Sequence, residues 1–360
     1  MRHTSGWSLK IADTIIARFQ DPLDYPYNSW SYPHGFMLWG MIKMWEYSGI
    51  QKYCDYAMLF AERSVDQDGN ITRYRGNSLD DIMAASVIAW AYDRTHLEKY
   101  RKACDTVRKT FDSYPRMAGG EFWHADWAPN EMWVDGLFMG QMFLTKYAQY
   151  IGDSKYCFDE GARQLMMVYN HCSKGDTGLL LHAWSENGQP AWADPETGCS
   201  PEVWSEGLGW YAMMLVEFLE IMPKDHIHRD RIIWQLEKLL NSLKSTQGAQ
   251  TGLWYQVVDK GDLKDNWQDS SGSSMFVYTV RKAIELGLAD EEIYGPVADR
   301  GYEGIITKAV INSEGFVDIN DACDGLGVQN NYDAYIKFEK TINAKEAVAA
   351  FLWATGIMEK

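Results

Sequence analysis

An all-α (α/α)6 barrel, a ring of six helical hairpins, is the fold class this sequence predicts, and three observations carry the prediction. Apolar residues recur at three-to-four spacing in twelve segments along the 360 residues. The connections between those segments alternate between short and long. Every second segment is apolar on more than one face, as a helix buried in an inner ring would be.

The periodic segments fall near residues 8–20, 33–49, 51–66, 78–94, 96–113, 130–151, 153–171, 200–222, 225–245, 270–287, 294–309 and 342–355. Odd-numbered members such as EKYRKACDTVRKTF and HRDRIIWQLEKLLNSLK carry a charged face. Even-numbered members read FMLWGMIKMW, IMAASVIAWAY, MWVDGLFMGQMFL, GWYAMMLVEFL, MFVYTV and AVAAFLWA. The joins at Gly49-Ile50, Thr95, Gly152, Met222–Lys224 and Gly287–Ile293 are short. Helices linked so briefly run antiparallel. The joins near 21–32, 67–77, 114–129, 172–199, 246–269 and 310–341 are long, and strict alternation sends all of them to one end. The repeat lies in the order of elements rather than in the residues. No linker or low-complexity run interrupts it, so a single domain over 1–360 is expected.

Within the sixth segment, Pro129-Asn130 predicts a helix start with Asn130 as cap. Asp135 then falls near the second turn. Gly136 and Gly140, one turn apart, predict close approach of a neighbouring helix. Each inner helix follows a long loop, so the inner N-termini converge beneath the loop-bearing face. Their unpaired amides and partial positive charge predict a local site for an anionic ligand.

The composition excludes several classes. A net charge of −16 and a pI near 4.9 argue against nucleic-acid or anionic-membrane partners. The six cysteines show no CxxC and no zinc spacing, as expected of reduced thiols in a cytoplasmic protein. The first nineteen residues lack the apolar core of a signal peptide, and no apolar run is long enough to span a bilayer.

The chemistry is expected in EFWHADWAPNEMWVDGLFMG, residues 121–140. Asp135 lies there among Met132, Trp133, Val134, Leu137 and Phe138. A carboxyl in apolar surroundings loses solvation, its pKa rises, and it becomes usable as a general acid. An aspartate that only caps or pairs locally fits the same residues. Further candidates for the same face are Trp30, Tyr32, Asp80, Asp81, His124, Trp133, His182, Trp184, Trp192, Asp194, Trp204, Glu206, Trp210, Trp267 and Asp269. Aromatic planes beside hydrogen-bonding groups suit sugars, although aromatics also simply fill large barrels. The histidines have no metal-ligand spacing, so neither metal nor cofactor is expected.

Taken in order, WSYPHG (30–35), LDDI (79–82), GGEFWH (119–124), MWVDGLFMG (132–140), TGLLLHAW (177–184), WADPETGCSPEVW (192–204), GLGWYAM (207–213) and SGSSMFVY (271–278) resemble glycoside hydrolase family 105, the unsaturated rhamnogalacturonyl hydrolases. The resemblance to unsaturated glucuronyl hydrolases is more distant. It implies an (α/α)6 barrel that acts on pectin-type oligosaccharides ending in an unsaturated uronic acid, through hydration of the C4=C5 double bond. On this resemblance Asp135 protonates C4, and Asp80 is the second carboxylate touching the sugar and raises the acid's pKa by its charge. Tyr32, His124, Trp133, His182 and Trp204 match positions lining the sugar subsite. The residues alone leave open an inverting glycosidase with two carboxylates, a sugar epimerase or a non-catalytic sugar-binding barrel.

Two positions depart from the family. It often reads Trp-x-Arg where this chain has Trp204-Ser205-Glu206, and it can carry Lys after Trp-His where this chain has Ala125. Glu206 is therefore expected near Trp204, facing the cleft and accepting from sugar hydroxyls. The uronate carboxylate would be held away from it, by helix N-terminal amides or by Arg73 or Arg75.

Overall fold

The computed structural model describes residues 6–360; residues 1–5, part of the stretch read above for a signal peptide, lie outside the described residues. The described helices are α1 (Trp7–Arg18), α2 (Tyr32–Ser48), α3 (Gln51–Ser64), α4 (Ala85–Thr95), α5 (Glu98–Ser113), α6 (Val134–Tyr150), α7 (Ser154–Cys172), α8 (Ser205–Ile221), α9 (Arg229–Thr246), α10 (Ser270–Glu285), α11 (Glu291–Ile306), α12 (Tyr332–Lys337) and α13 (Lys345–Glu359). All but the short α12 correspond to a segment expected from periodicity.

α2, α4, α6, α8, α10 and α13 touch one another in that order, and α13 closes the ring on α2. α3, α5, α7, α9 and α11 each back the inner helix before them, and α1 lies on α13. The sequence dictates the layers. In α8 every residue from Ser205 to Leu219 is buried, so the helix has no face to offer water. In α5 only Tyr100, Ala103, Cys104, Val107 and Phe111 are buried, one stripe at helical spacing. Each large apolar side chain fully withdrawn from water contributes about 1.5–3 kcal/mol. One apolar core extends from Ile11 to Ile357.

The closed end of the ring holds a layer of buried charge. Glu217 of α8 accepts from Lys43 of α2 at 3.1 Å, lies 3.7 Å from Lys146 of α6, and also accepts from the Tyr278 hydroxyl of α10. Lys43 stands 4.7 Å from the Trp353 ring centroid and Lys146 stands 4.6 Å from that of Trp39. Burial favours the neutral acid, but the two ammonium groups prevail and hold Glu217 down to about 2.

The long connections carry three short antiparallel ladders. β1 (Glu131–Trp133) pairs with β2 (Ala183–Ser185), β3 (Ala309–Ile311) with β4 (Val317–Ile319), and β5 (Ala322–Cys323) with β6 (Lys340–Thr341). The first ladder corrects the expected start of the sixth helix. Pairing with β2 keeps the chain extended through Trp133, so α6 begins at Val134 and Asn130 takes a left-handed turn conformation (φ +61°) instead of capping a helix. Asp135 therefore sits in the first turn, not the second. Likewise Leu79–Asp81 forms a separate 3-10 turn before α4, and α8 begins at Ser205, five residues after the expected 200.

One of the two glycines is also reassigned. A Cβ on Gly136 would lie 2.6 Å from His124 Nδ1 and 3.1 Å from Leu79; one on Gly140 would lie 3.2 Å from Leu79. Gly136 thus admits side chains from the loop-end turns, while Gly140 admits Leu79 and lies against Phe111 of the neighbouring helix α5.

Candidate active site

Each inner helix brings one polar side chain to the loop-bearing end, at or just before its first turn. These are Tyr32 on α2, Asp80 before α4, Asp135 on α6, Glu206 on α8, Asp269 before α10 and Glu346 on α13. Helix geometry alone thus gathers five carboxylates around one axis. This overturns the expectation of an anion site made from free helix ends. Asp269 already accepts from the amides of Ser271 and Gly272, and Asp135 and Glu346 each accept from the backbone at their own helix start.

Backbone hydrogen bonds stitch the intervening loops into one rim. Leu79 N donates to His124 O (2.9 Å), His124 N to Glu131 O (2.7 Å) and Val134 N to His182 O (3.0 Å). His182 N then donates to Glu202 O (3.0 Å), and Ser205 N to Gln256 O (2.9 Å). The positions of Asp80, His124, Asp135, His182 and Glu206 are fixed relative to one another by this chain of bonds. Unpaired loop amides in a buried rim would cost heavily, which is why the pairing is so complete.

The side chains form a connected group. Asp80 Oδ2 lies 3.6 Å from His124 Nε2. The His124 ring stacks on Trp133 with centroids 4.3 Å apart and an interplanar angle of 12°. Trp133 meets His182 edge-on at 6.1 Å, and His182 lies 4.5 Å from Trp204. His182 Nε2 stands 3.7 Å from Asp135 Oδ1, and neither atom has a hydrogen-bond partner. The Asp135 side chain is 16% exposed and that of Asp80 26%, so both reach the cleft. Beside Asp80 opens a cavity of about 690 Å³ lined also by Trp30, Arg73, Arg75 and Trp127.

The electrostatics differ from the expectation at Asp135. Burial pushes its carboxyl up. The nearness of the His182 ring at 3.7 Å, the charges of His124 and His182, and the helix-start amide outweigh that and leave it below the ordinary carboxylate value. Asp80 is not among the main influences on it, and the carboxyl ends below its ordinary value rather than raised. Burial lowers His124, but the charge and hydrogen bond of Asp80 prevail and raise it above the usual imidazole value.

Glu206 is 1% exposed and accepts from Ser271 Oγ at 2.7 Å. It does not turn outward to pair on the surface. Burial first, then the charges of Glu346 and Asp269, push its carboxyl well up. Tyr32 donates to Glu346, itself raised by burial and salt-bridged to Lys345 at 2.9 Å. Glu206, Asp269 and Glu346 thus make a crowded acidic floor beside the His–Trp wall. Glu346 and Tyr335 were not singled out from the sequence; no motif marks them, and both come from the last 40 residues.

Other candidates prove local. Trp30 Nε1 donates to Asp81 O at 2.7 Å, tying the loop before α2 to the Asp80 turn. Asp194 accepts from the amides of Glu196 and Thr197 at 3.0 and 2.8 Å and shapes its own turn. Trp184 stacks on His171 at 3.8 Å, and Trp267 Nε1 donates to Ile336 O at 3.0 Å. Trp192 is buried at 9% exposure, and Trp210 packs on Phe36 in the core at 4.4 Å.

Comparison with known proteins follows this geometry. The family model described as Glycosyl Hydrolase Family 88 matches residues 7–360. A glycoside hydrolase from family 105 of C. acetobutylicum superposes with a TM-score of 0.92 at 31% identity, covering 99% of both chains. The unsaturated glucuronyl hydrolase of Bacillus sp. GL1 superposes at 0.70 with 15% identity, over 97% of this chain and 94% of that one, and shares the fold. The 24.9 kDa protein in the picA locus of Rhizobium radiobacter is 33% identical over 150 residues. That match spans 42% of this chain and 63% of the relative's length.

Proposed function

This chain belongs to the glycosyl hydrolase family 88 and 105 group and is a glycoside hydrolase, and from that premise we propose that it releases an unsaturated uronic acid from the non-reducing end of small oligosaccharides. The observation that carries this reading is the unpartnered Asp135 Oδ1, held beside the unpartnered His182 Nε2 against Trp133 and Trp204. A reacting carboxyl needs a free oxygen, and sugar C–H faces need aromatic walls.

In the proposed reaction Asp135 in its acid form gives its proton to C4 of the C4=C5 vinyl ether. Positive charge develops at C5 and is shared with the ring oxygen. Water adds at C5 and returns a proton to Asp135. The hemiketal opens and the neighbouring sugar leaves. Asp80 and His124 contact the sugar from one side, with Trp133, His182 and Trp204 forming the wall and Tyr32 and Glu206 the floor. Because Glu206 belongs to an acidic floor, the substrate's carboxylate lies toward Arg73 and Arg75, which share a cavity with Asp80. The chain works as one catalytic domain without a cofactor. Its free, buried cysteines support a cytoplasmic site of action. Among the described residues no helix is long and apolar enough to cross a membrane.

The test is a panel of lyase-generated unsaturated disaccharides, followed by loss of the ultraviolet absorbance of the conjugated double bond. Reaction in heavy water places deuterium at C4. Unlabelled product, or saturated substrates cleaved as fast as unsaturated ones, removes the hydration mechanism.

A further inference from the structure

The short helix α12 holds a tyrosine that reaches His182 from 153 residues away in the chain. Tyr335 is fully buried, and its hydroxyl lies 2.9 Å from His182 Nδ1. The backbone amide of Gln329 donates to the same hydroxyl at 3.4 Å. The other ring nitrogen of His182, Nε2, has no hydrogen-bond partner and faces Asp135 Oδ1 at 3.7 Å.

A neutral imidazole carries one N–H and one bare nitrogen, and the network around it decides which is which. The Tyr335 oxygen accepts from Gln329, so its own proton is free to be donated. Burial raises the phenol well above its ordinary value, as does the charge of Glu202, so the proton stays on oxygen. Ser200 is the other side chain within its reach, and its bond to Tyr335 lowers the phenol, as a hydroxyl donating to that oxygen does; with Gln329 it takes both lone pairs, so the Tyr335 oxygen cannot also accept from Nδ1. The Tyr335 proton therefore goes to Nδ1 of His182. The ring proton must then sit on Nε2, on the side of Asp135.

We propose that Tyr335 is a positioning residue that fixes His182 as the Nε2–H tautomer and so keeps a donor aimed at Asp135. This rests on the reading of Asp135 as the acid–base group. The donor steadies the carboxylate that Asp135 becomes after protonating the substrate, and it holds Oδ1 in one orientation. Tyr335 is fully buried, packed with Trp204, Val257 and Leu326, and so acts through His182.

The test combines a spectroscopic and a kinetic readout on the full chain. Ring ¹⁵N shifts of histidine-labelled protein, with His182 assigned by its loss in His182→Gln, report the tautomer without any substrate. The expected wild-type ring is protonated at Nε2 and bare at Nδ1. Tyr335→Phe loses that preference, and kcat falls roughly 10-fold, a part of the ~10²–10⁴ that acid–base catalysis supplies, while KM is little changed. A wild-type ring protonated at Nδ1 overturns the proposal. So does a Tyr335→Phe protein that keeps both tautomer and kcat. If that variant does not fold, the wild-type spectrum alone decides. If no unsaturated disaccharide is turned over, the functional reading fails, and the tautomer measurement still decides the assignment of Tyr335.

Discussion

The two ends of the inner ring bury charge in opposite ways. At the closed end, Glu217 meets two lysines and a tyrosine hydroxyl, and every partner comes from another inner helix. At the loop-bearing end, five carboxylates converge, and Asp135 Oδ1, His182 Nε2 and Glu346 Oε2 are left without partners. The layers lie about 16–18 Å apart along α2, α6 and α8, given 1.5 Å of rise per residue. The same helices thus run from a site whose polar atoms await a ligand to a plug whose charges are answered within the protein. Charges answered internally hold the ring together; those left open are available for chemistry.

The comparison predicts which substitutions affect turnover and which affect stability. The largest effect is expected for Asp135→Asn, which should lower kcat by about 10²–10⁴ with the melting temperature nearly unchanged. Kinetics on the unsaturated disaccharides and a thermal scan check both halves. Next comes Glu217→Gln, which strands two buried ammonium groups and should destabilise the fold by about 3–5 kcal/mol, read from denaturant midpoints. Turnover per folded molecule should stay as in wild type. If Glu217→Gln instead spared stability and abolished turnover, the two ends would not divide the work as described.

Smaller effects sharpen the contrast through pH. Glu217 has a folded pKa below its unfolded one, so its stabilising contribution is present above about pH 4.3 and is lost as pH falls toward about 2. Glu206 has a folded pKa raised above its unfolded one. Its contribution is complete below the unfolded value and is lost as pH rises through the folded one. Glu206→Gln should therefore stabilise the protein at neutral pH by on the order of 1 kcal/mol, with a gain that grows from acidic to alkaline buffer. The same variant should change the ranking of disaccharides. Identical ranking and unchanged kcat/KM would show that Glu206 does not read the substrate.

The smallest shift concerns the acid itself. Asp135 must be protonated to donate, and its carboxyl is held low, so kcat/KM should fall as pH rises above the acidic range. His182→Leu removes a ring that favours the carboxylate and should move the falling limb upward. A limb that stays put would mean that His182 does not set the acid's ionisation.

Periodicity by itself determined the twelve barrel helices and their alternation of inner and outer faces. The reason is physical: a helix such as α8, apolar all round, has no stable place except inside others, and a stripe such as that of α5 can cover only one neighbour. Short and long joins then fixed one end as the bearer of loops. The motif residues Asp80, His124, Asp135, His182 and Trp204 were legible because their types and order carry chemistry. Tertiary structure alone decided the rest. The β1–β2 ladder moved the start of α6 and put Asp135 in a first turn, where helix amides and His182 hold its pKa down although burial had predicted a rise. Ring closure brought Glu346 of α13 close enough to Glu206 for their charges to interact and set Tyr335 of α12 against His182, and no motif marks either residue. Local periodicity records which face of an element is buried; it does not record which distant side chain is buried against it, and a pKa depends on that neighbour.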